Sequence, residues 1–246
     1  MKTSIIVLIL FIILISSVIQ AAFGFGFSLV VMAVLPMFMS MNRAVIFNLM
    51  LALICNVIMS VRFRDKICWK ELIPMLVPTI IICSVTAVWA VGIDASLMYF
   101  LLGLMLVFSA SYFFIFSDRI HIKATVRSGI FLGLICGVLG GLFSLAGPVA
   151  ALYLLPALDD KEKFVATTQM FFLGMNLVNL ITRIIMGTLE MQDVPVLGLG
   201  SIMMLLGIFI GLKLQSKVKG EWFKRVVYGI VGLNGLWIVI SHFPLH

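Results

Sequence analysis

From about Ile130 to Leu158 the chain carries no charge for longer than one plain membrane span requires, and Gly140, Gly141, Gly147 and Pro148 interrupt the run at its centre. In hydrocarbon, a break in a helix frees N–H and C=O groups that lipid cannot satisfy. Such a break is expected to be buried in protein or to line a polar cavity. A weaker copy lies about 120 residues earlier, where Gly24, Gly26 and Ser28 precede a short apolar piece ending at Leu35-Pro36, as the later one ends at Leu155-Pro156. Interrupted apolar segments at corresponding places in two halves point to a transporter's binding site.

Composition makes the membrane setting firm. Of 246 residues, 63% are hydrophobic and only 11% charged, against roughly a quarter charged in ordinary soluble domains. Apolar blocks of about 20 residues recur from end to end and leave no stretch for a soluble domain. The net charge of +7 would suggest nucleic acid in a soluble protein, but here the basic residues cluster in loops, so nucleic acid is not expected. Cys55, Cys68, Cys83 and Cys136 lack metal spacing and read as small packing residues. Lys2, the apolar stretch 5–15 and Ala21-Ala22 imitate a secretory signal. Because the Gly24 region is counted as part of the fold, the segment is expected to be retained.

Helical spans are expected at 4–22, 44–62, 72–92, 96–116, 164–187, 194–214 and 222–241, with short arms at 28–39 and 148–157 and a long arm at 127–140. Arms of about 10 to 14 residues reach only half of a roughly 30 Å hydrocarbon core, so re-entry is the natural reading. Loop charge separates re-entry from single crossings. With two hairpins, 14 of the 17 Lys and Arg share one side, and only Lys2, Arg43 and Arg183 face the other. With single crossings the split is 9 against 8. The asymmetric arrangement obeys the positive-inside rule. It also inverts the halves relative to each other, 1–120 starting outside and 121–246 inside. The expected fold is thus an all-α polytopic membrane protein of two inverted repeats, each a glycine-interrupted re-entrant helix hairpin followed by three transmembrane helices. Asn56 with Asn176 and Pro74 with Pro195 echo one another at a similar offset.

All ten carboxylates fall in loops or at span ends, and His121, His242 and His246 are peripheral. A proton pump, membrane metalloprotease or di-metal oxidase needs such groups inside the membrane. No enzyme chemistry, metal or cofactor is therefore expected. What remains at mid-depth is neutral: free N–H groups and the positive dipole ends of the second arms, the hydroxyls of Ser28 and Ser144, and glycines that admit a ligand close to the main chain. Two opposed half-helix N-termini without a carboxylate suit a small anion. Gly129, Gly133 and Gly137, spaced by four, read instead as helix packing.

Candidate substrate-binding residues are Gly24, Gly26, Ser28, Asn48, Ser144, Gly147, Thr168 and Gln169, with Asn56, Thr167, Asn176 and Asn179 also on the spans after the hairpins. Arg62 and Arg183 end corresponding spans and read as snorkelling anchors rather than entry-funnel charges. Trp69, Trp89, Trp222, Trp237, Tyr99 and Phe243 read as interfacial belt residues.

With Gly24-Phe25-Gly26-Phe27-Ser28 before Leu35-Pro36, and Gly140-Gly141-Leu142-Phe143-Ser144-Leu145-Ala146-Gly147 before Leu155-Pro156, nearly the whole chain resembles the sulfite exporter TauE/SafE family, also called the toluene sulfonate uptake permease family. Members typically carry a denser glycine cluster. The resemblance implies movement of sulfite, a sulfonate or a related organosulfur anion across a bacterial plasma (inner) membrane by a multi-pass exporter. The lipid bilayer and a small anionic substrate are the partners it implies, and a homodimer is compatible with it. The competing readings are a carrier of another small solute and a non-transporting scaffold. Cysteines placed at Lys161 and Lys217 should label from the same, cytoplasmic, face as one placed at Lys66; labelling from opposite faces contradicts the hairpin topology.

Overall fold

The computed structural model describes residues 3–111, 124–158, 160–188, 194–214 and 221–242. Among them the regular structure is helical, in ten α-helices. These are α1 (Thr3–Phe23), α2 (Phe27–Val34, continued by a 3-10 turn Leu35–Met37), α3 (Met41–Arg62), α4 (Trp69–Gly92), α5 (Ala95–Ser111), α6 (Val126–Phe143), α7 (Gly147–Ala157), α8 (Lys161–Ile185), α9 (Val194–Leu214) and α10 (Glu221–Ser241). Six of them, α1, α3, α4, α6, α8 and α9, are long and apolar enough to cross a membrane. Every expected span and arm is present as a helix, with ends shifted by a turn or less where they are described. The expected end of the 96–116 span lies outside the described residues, as do Lys2, Asp118, His121, Asp159, Glu190, Asp193, Phe243 and His246.

Helices α3 and α8 form the central pair and are the most buried spans. They run antiparallel. Arg183, near the end of α8, bonds Asn42 at the start of α3, while Lys66 and Cys68, after α3, meet Glu162 and Thr167 at the start of α8. Around this pair α1 packs on α9, α4 on α6, and α5 on α10. The outer helices turn apolar faces away from the protein: Ile73, Val77, Ile81, Val85 and Trp89 of α4, four residues apart, are all about half exposed or more. In water such a stripe would be a large unpaired patch, whereas in a bilayer it is the lipid face. Trp69, Trp89 and Trp237 are exposed as belt residues should be. Tyr99 departs from that expectation, since its hydroxyl donates to Pro36 O at 3.2 Å and its ring stacks on His242.

Small residues set the closest contacts. A Cβ on Gly133 would lie 2.5 Å from Met75 O, and one on Gly137 2.6 Å from Ile82 Cβ, so α6 sits against the α4 backbone. Thr79 Oγ1, 2.8 Å from Gly133 O, and Thr86 Oγ1, 3.0 Å from Gly137 O, tie the seam with hydroxyl bonds. The packing role expected for Gly129, Gly133 and Gly137 is what these contacts express. The seam also fixes direction. Gly129, Gly133, Gly137 and Gly141 meet Pro74, Met75, Ile82 and Cys83 in ascending order, so α6 runs parallel to α4. Likewise Gly200, Gly207 and Gly211 of α9 meet Ile13, Ser17 and Ala21 of α1 in ascending order.

Candidate functional site

Two helix breaks meet beside the central pair. Helix α1 ends at Phe23 and α6 at Phe143, and the next residues, Gly24 (φ 86°) and Ser144 (φ 60°), are both left-handed. Each donates its N–H to the carbonyl four residues back, Gln20 O and Gly140 O, at 2.8 Å, as helix C-termini commonly do. Helices α2 and α7 start three residues later. Ser144 is the one non-glycine with positive φ among the described residues, a conformation that costs about 1 kcal/mol. Its hydroxyl, donating to Asn176 Oδ1 at 2.7 Å, gives back a similar amount, about 1 kcal/mol.

The breaks expose carbonyls at the ends of α1 and α6, and α8 covers them. Gln169 Nε2 donates to Gly24 O at 2.8 Å, and Asn179 Nδ2 to Gly140 O at 2.6 Å. Arg183 donates through Nη2 to Gly141 O and Leu142 O, through Nη1 to Asn42 Oδ1, and through Nε to Asn179 Oδ1. It is 1% exposed and is the one buried charged side chain among the described residues. The snorkelling-anchor reading of Arg183 is therefore corrected: its guanidinium points inward onto the C-terminal carbonyls of α6, where a cation is favoured by the helix dipole. No carboxylate among the described residues pairs with it, and none of them is buried.

Carbonyls are thus taken while N-terminal donors are left. In α2, Phe27 N–H is bound by Gln20 Oε1 at 3.0 Å, but the Ser28 and Leu29 N–H groups precede the first helical bond, Val30 N–H to Gly26 O. In α7 the Gly147 and Val149 N–H groups stand in the same position, and Pro148 has none to lose. Between these two ends lies a small cavity, ≈ 20 Å³ of space open to the centre of a water molecule. Gln20, Gly26, Ser28 and Leu29 line it from the first break, and Ser144, Leu145 and Gly147 from the second. Ala52 and Asn56 of α3 and Phe172 and Asn176 of α8 close it.

Of the expected residues, Gly26, Ser28, Ser144 and Gly147 meet at this cavity. Asn48 stands behind it, its Nδ2 donating to Ser28 Oγ at 3.1 Å, which leaves the Ser28 proton for another acceptor. Gln169 and Gly24 are bonded to each other, with Gln20 Nε2 on Gln169 Oε1 at 3.3 Å, so they brace the first break instead of lining the cavity. Thr168 is fully buried and does not reach it. Gln20 and Phe172 escaped notice in the sequence. Gln20 had a signal, as the lone amide in the apolar run of α1, four residues before Gly24. Arg183 had one too: it falls four and seven residues, about one and two turns, after Asn179 and Asn176, on the inward polar face of α8.

The described residues hold no group of three or more His, Cys, Asp or Glu that could bind a metal. The apolar outer faces, the helices of spanning length and the internal polar cavity define a multi-pass protein embedded in a membrane. Residues 8–238 match the family model of the sulfite exporter TauE/SafE, and the chain belongs to that family. The family is one of transporters, not enzymes. A search of curated proteins and one of solved structures found no match.

Replacing Ser144 should separate strain from bonding. In thermal unfolding in detergent, Ser144→Ala keeps the left-handed backbone but loses the bond to Asn176, and is expected to be about 1 kcal/mol less stable. Ser144→Gly loses the same bond and relieves the backbone, so it should lie near the parent; an alanine variant more stable than the glycine variant contradicts this account.

Proposed function

We propose that this chain exports a small sulfur-containing oxyanion, sulfite or a sulfonate, bound between two re-entrant hairpins and released by alternating access. The observation that carries the reading is the cavity's lining: Ser28, Leu29 and Gly147, whose N–H groups precede the first helical bonds of α2 and α7, and the Ser28 hydroxyl, while the carbonyls of Gly24, Gly140 and Gly141 are already bonded and no described carboxylate is buried. An oxyanion is an acceptor at every oxygen and suits such a lining. Arg183 strengthens the preference. It lies seven residues along α8 from Asn176, or about 10 Å. At an effective dielectric constant near 20 a unit charge at that distance contributes about 1.7 kcal/mol, of which the α6 dipole offsets up to half.

Packing directions support the re-entrant reading. Helix α1 runs with α9, which follows the end of α8, where α3 begins; α1 and α3 then start on one face, and the intervening chain returns to it. Helix α6 runs with α4, which follows the end of α3, where α8 begins, so α6 and α8 start together on the other face. Inverted repeats, 1–120 and 121–246, are supported by the spacing of the breaks and starts: Gly24 with Ser144, Phe27 with Gly147, and Met41 with Lys161 are each 120 residues apart. The helix pairs agree, since exchanging the halves turns α1 on α9 into α6 on α4 and α3 on α9 into α8 on α4.

A cavity of ≈ 20 Å³ has room for about one water, so an oxyanion of four heavy atoms needs a wider state than this one. Rocking one repeat against the other supplies that state. A bacterial plasma membrane at 100 mV, inside negative, favours export of one negative charge by about 2.3 kcal/mol, enough to drive efflux without a coupling ion.

Two variants test the site in proteoliposomes loaded with sulfite. A Cβ on Gly147 would meet only ordinary contacts, the nearest Phe25 Cδ2 at 3.6 Å. Gly147→Val should therefore insert and fold, fill the cavity, and cut flux at least roughly tenfold; unaltered flux removes the site. Arg183→Gln should raise the sulfite KM roughly fivefold while Arg183→Lys restores much of it; equal KM values in both variants and the parent remove the electrostatic role.

A further inference from the structure

The polar groups along the central pair are not evenly satisfied. Toward the face on which α3 begins, Asn179 and Arg183 are fully engaged with Gly140, Gly141, Leu142 and Asn42. Asn48, nearer the cavity, has its Nδ2 on Ser28 but its Oδ1 unpartnered, and from the cavity toward the face on which α8 begins more such groups follow, beside the bonded Thr167 and Gln169. Both side-chain polar atoms of Asn56, the hydroxyl of Ser60 and that of Thr168 are buried and have no hydrogen-bond partner. Asn56 and Thr168 are 0% exposed and Ser60 is 2% exposed, so bulk solvent does not serve them in this conformation.

Their placement is ordered. Asn56 is in the wall of the cavity, and Ser60 follows it one turn further along the same face of α3. The pairing of Asn42 with Arg183 and of Lys66 with Glu162 sets the register of the antiparallel pair, and it puts Thr168 within about one turn of the depth of Asn56. Leaving four such atoms dry in an apolar interior is unfavourable at each, and a packed helix pair could have used Leu or Ala at every one of these positions. A passing solute with its water gives them their missing partners.

We propose that the solute path from the cavity to the face on which α8 begins runs between α3 and α8 and is lined by Asn56, Ser60 and Thr168. It rests on the transport reading above and adds the route. In the conformation described here the far mouth is closed by the Cys68 N–H donating to Thr167 Oγ1 at 3.0 Å and by the half-exposed Lys66–Glu162 pair at 3.7 Å. The opposite side is closed by the Arg183 bonds. Loosening the first set while the second holds opens the cavity to one face only, as alternating access requires.

The test uses the full-length chain in oriented proteoliposomes, with Cys55, Cys68, Cys83 and Cys136 replaced by alanine and single cysteines placed at Asn56, Ser60 or the lipid-facing Val77. The probe is 2-sulfonatoethyl methanethiosulfonate, an anion that does not cross the bilayer. Asn56→Cys and Ser60→Cys should be modified from the face on which α8 begins, more slowly when sulfite is present, and Val77→Cys from neither face. No modification at both positions, or modification only from the other face, overturns the path even if sulfite flux is intact. Modification in a protein that moves no sulfite keeps the path and removes the substrate. In the otherwise native chain, Thr168→Val and Ser60→Ala should lower flux roughly tenfold at an unchanged or raised Tm. A lowered Tm with unchanged flux shows that these groups are structural and overturns the proposal.

Discussion

Everything in this fold follows from the demand that main-chain N–H and C=O groups inside a bilayer find partners within the protein. Two helices, α1 and α6, stop at Phe23 and Phe143 within apolar stretches, and each stop strands carbonyls on one side and N–H groups on the other. Helix α8 covers the carbonyls of both. Gln169 holds Gly24 O, Asn179 holds Gly140 O, and Arg183 holds Gly141 O and Leu142 O. Those side chains, with Asn176 on Ser144, recur every two turns or less, so one inward face of one helix serves two breaks. That is why α8 can carry so many polar residues and still be, with α3, one of the two most buried spans.

The same arrangement creates function from a structural necessity. Once the carbonyls are bonded, the first-turn N–H groups of α2 and α7 and the Ser28 proton remain as donors, with the bonded Arg183 guanidinium adding a positive charge that no described carboxylate neutralises; the unpartnered amide oxygens of Asn48 and Asn56 are neutral. Among the described residues no buried carboxylate is there to neutralise a cation, which is what favours the oxyanion in the function proposed above. Membership of a sulfite exporter family and the polarity of the cavity therefore point the same way from independent observations.

How much of this could be read from the chain depends on how far each signal reaches. The helices were legible because apolar runs of spanning length have few alternatives, and the breaks because Gly24 and Gly26 mark the first and Gly147 and Pro148 the restart after the second, whereas Gly140 and Gly141, expected to interrupt the run, lie inside α6 and pack against Met175 and Cys83. The packing glycines were legible from their four-residue spacing. Side-chain direction was not. Position along a span groups Asn48, Gln169 and Thr168 with the cavity residues, yet Asn48 braces Ser28, Gln169 braces Gly24, and the Thr168 hydroxyl is buried without a partner and outside the lining. Arg183 misled for a related reason: an arginine near a helix end usually reaches for the interface, and only the C-terminus of α6, over 40 residues earlier in the chain, reverses that choice.

The claim on which the account stands is that the two breaks enclose an anion. Electron cryomicroscopy of the protein in lipid nanodiscs with selenite, a heavier analogue of sulfite, tests it most directly. The account predicts added density between the starts of α2 and α7, within hydrogen-bond reach of the Ser28 hydroxyl, with both flanks of each break returning to the same membrane face. Density confined to the protein surface, or chain on either side of a break leaving by opposite faces, would contradict it.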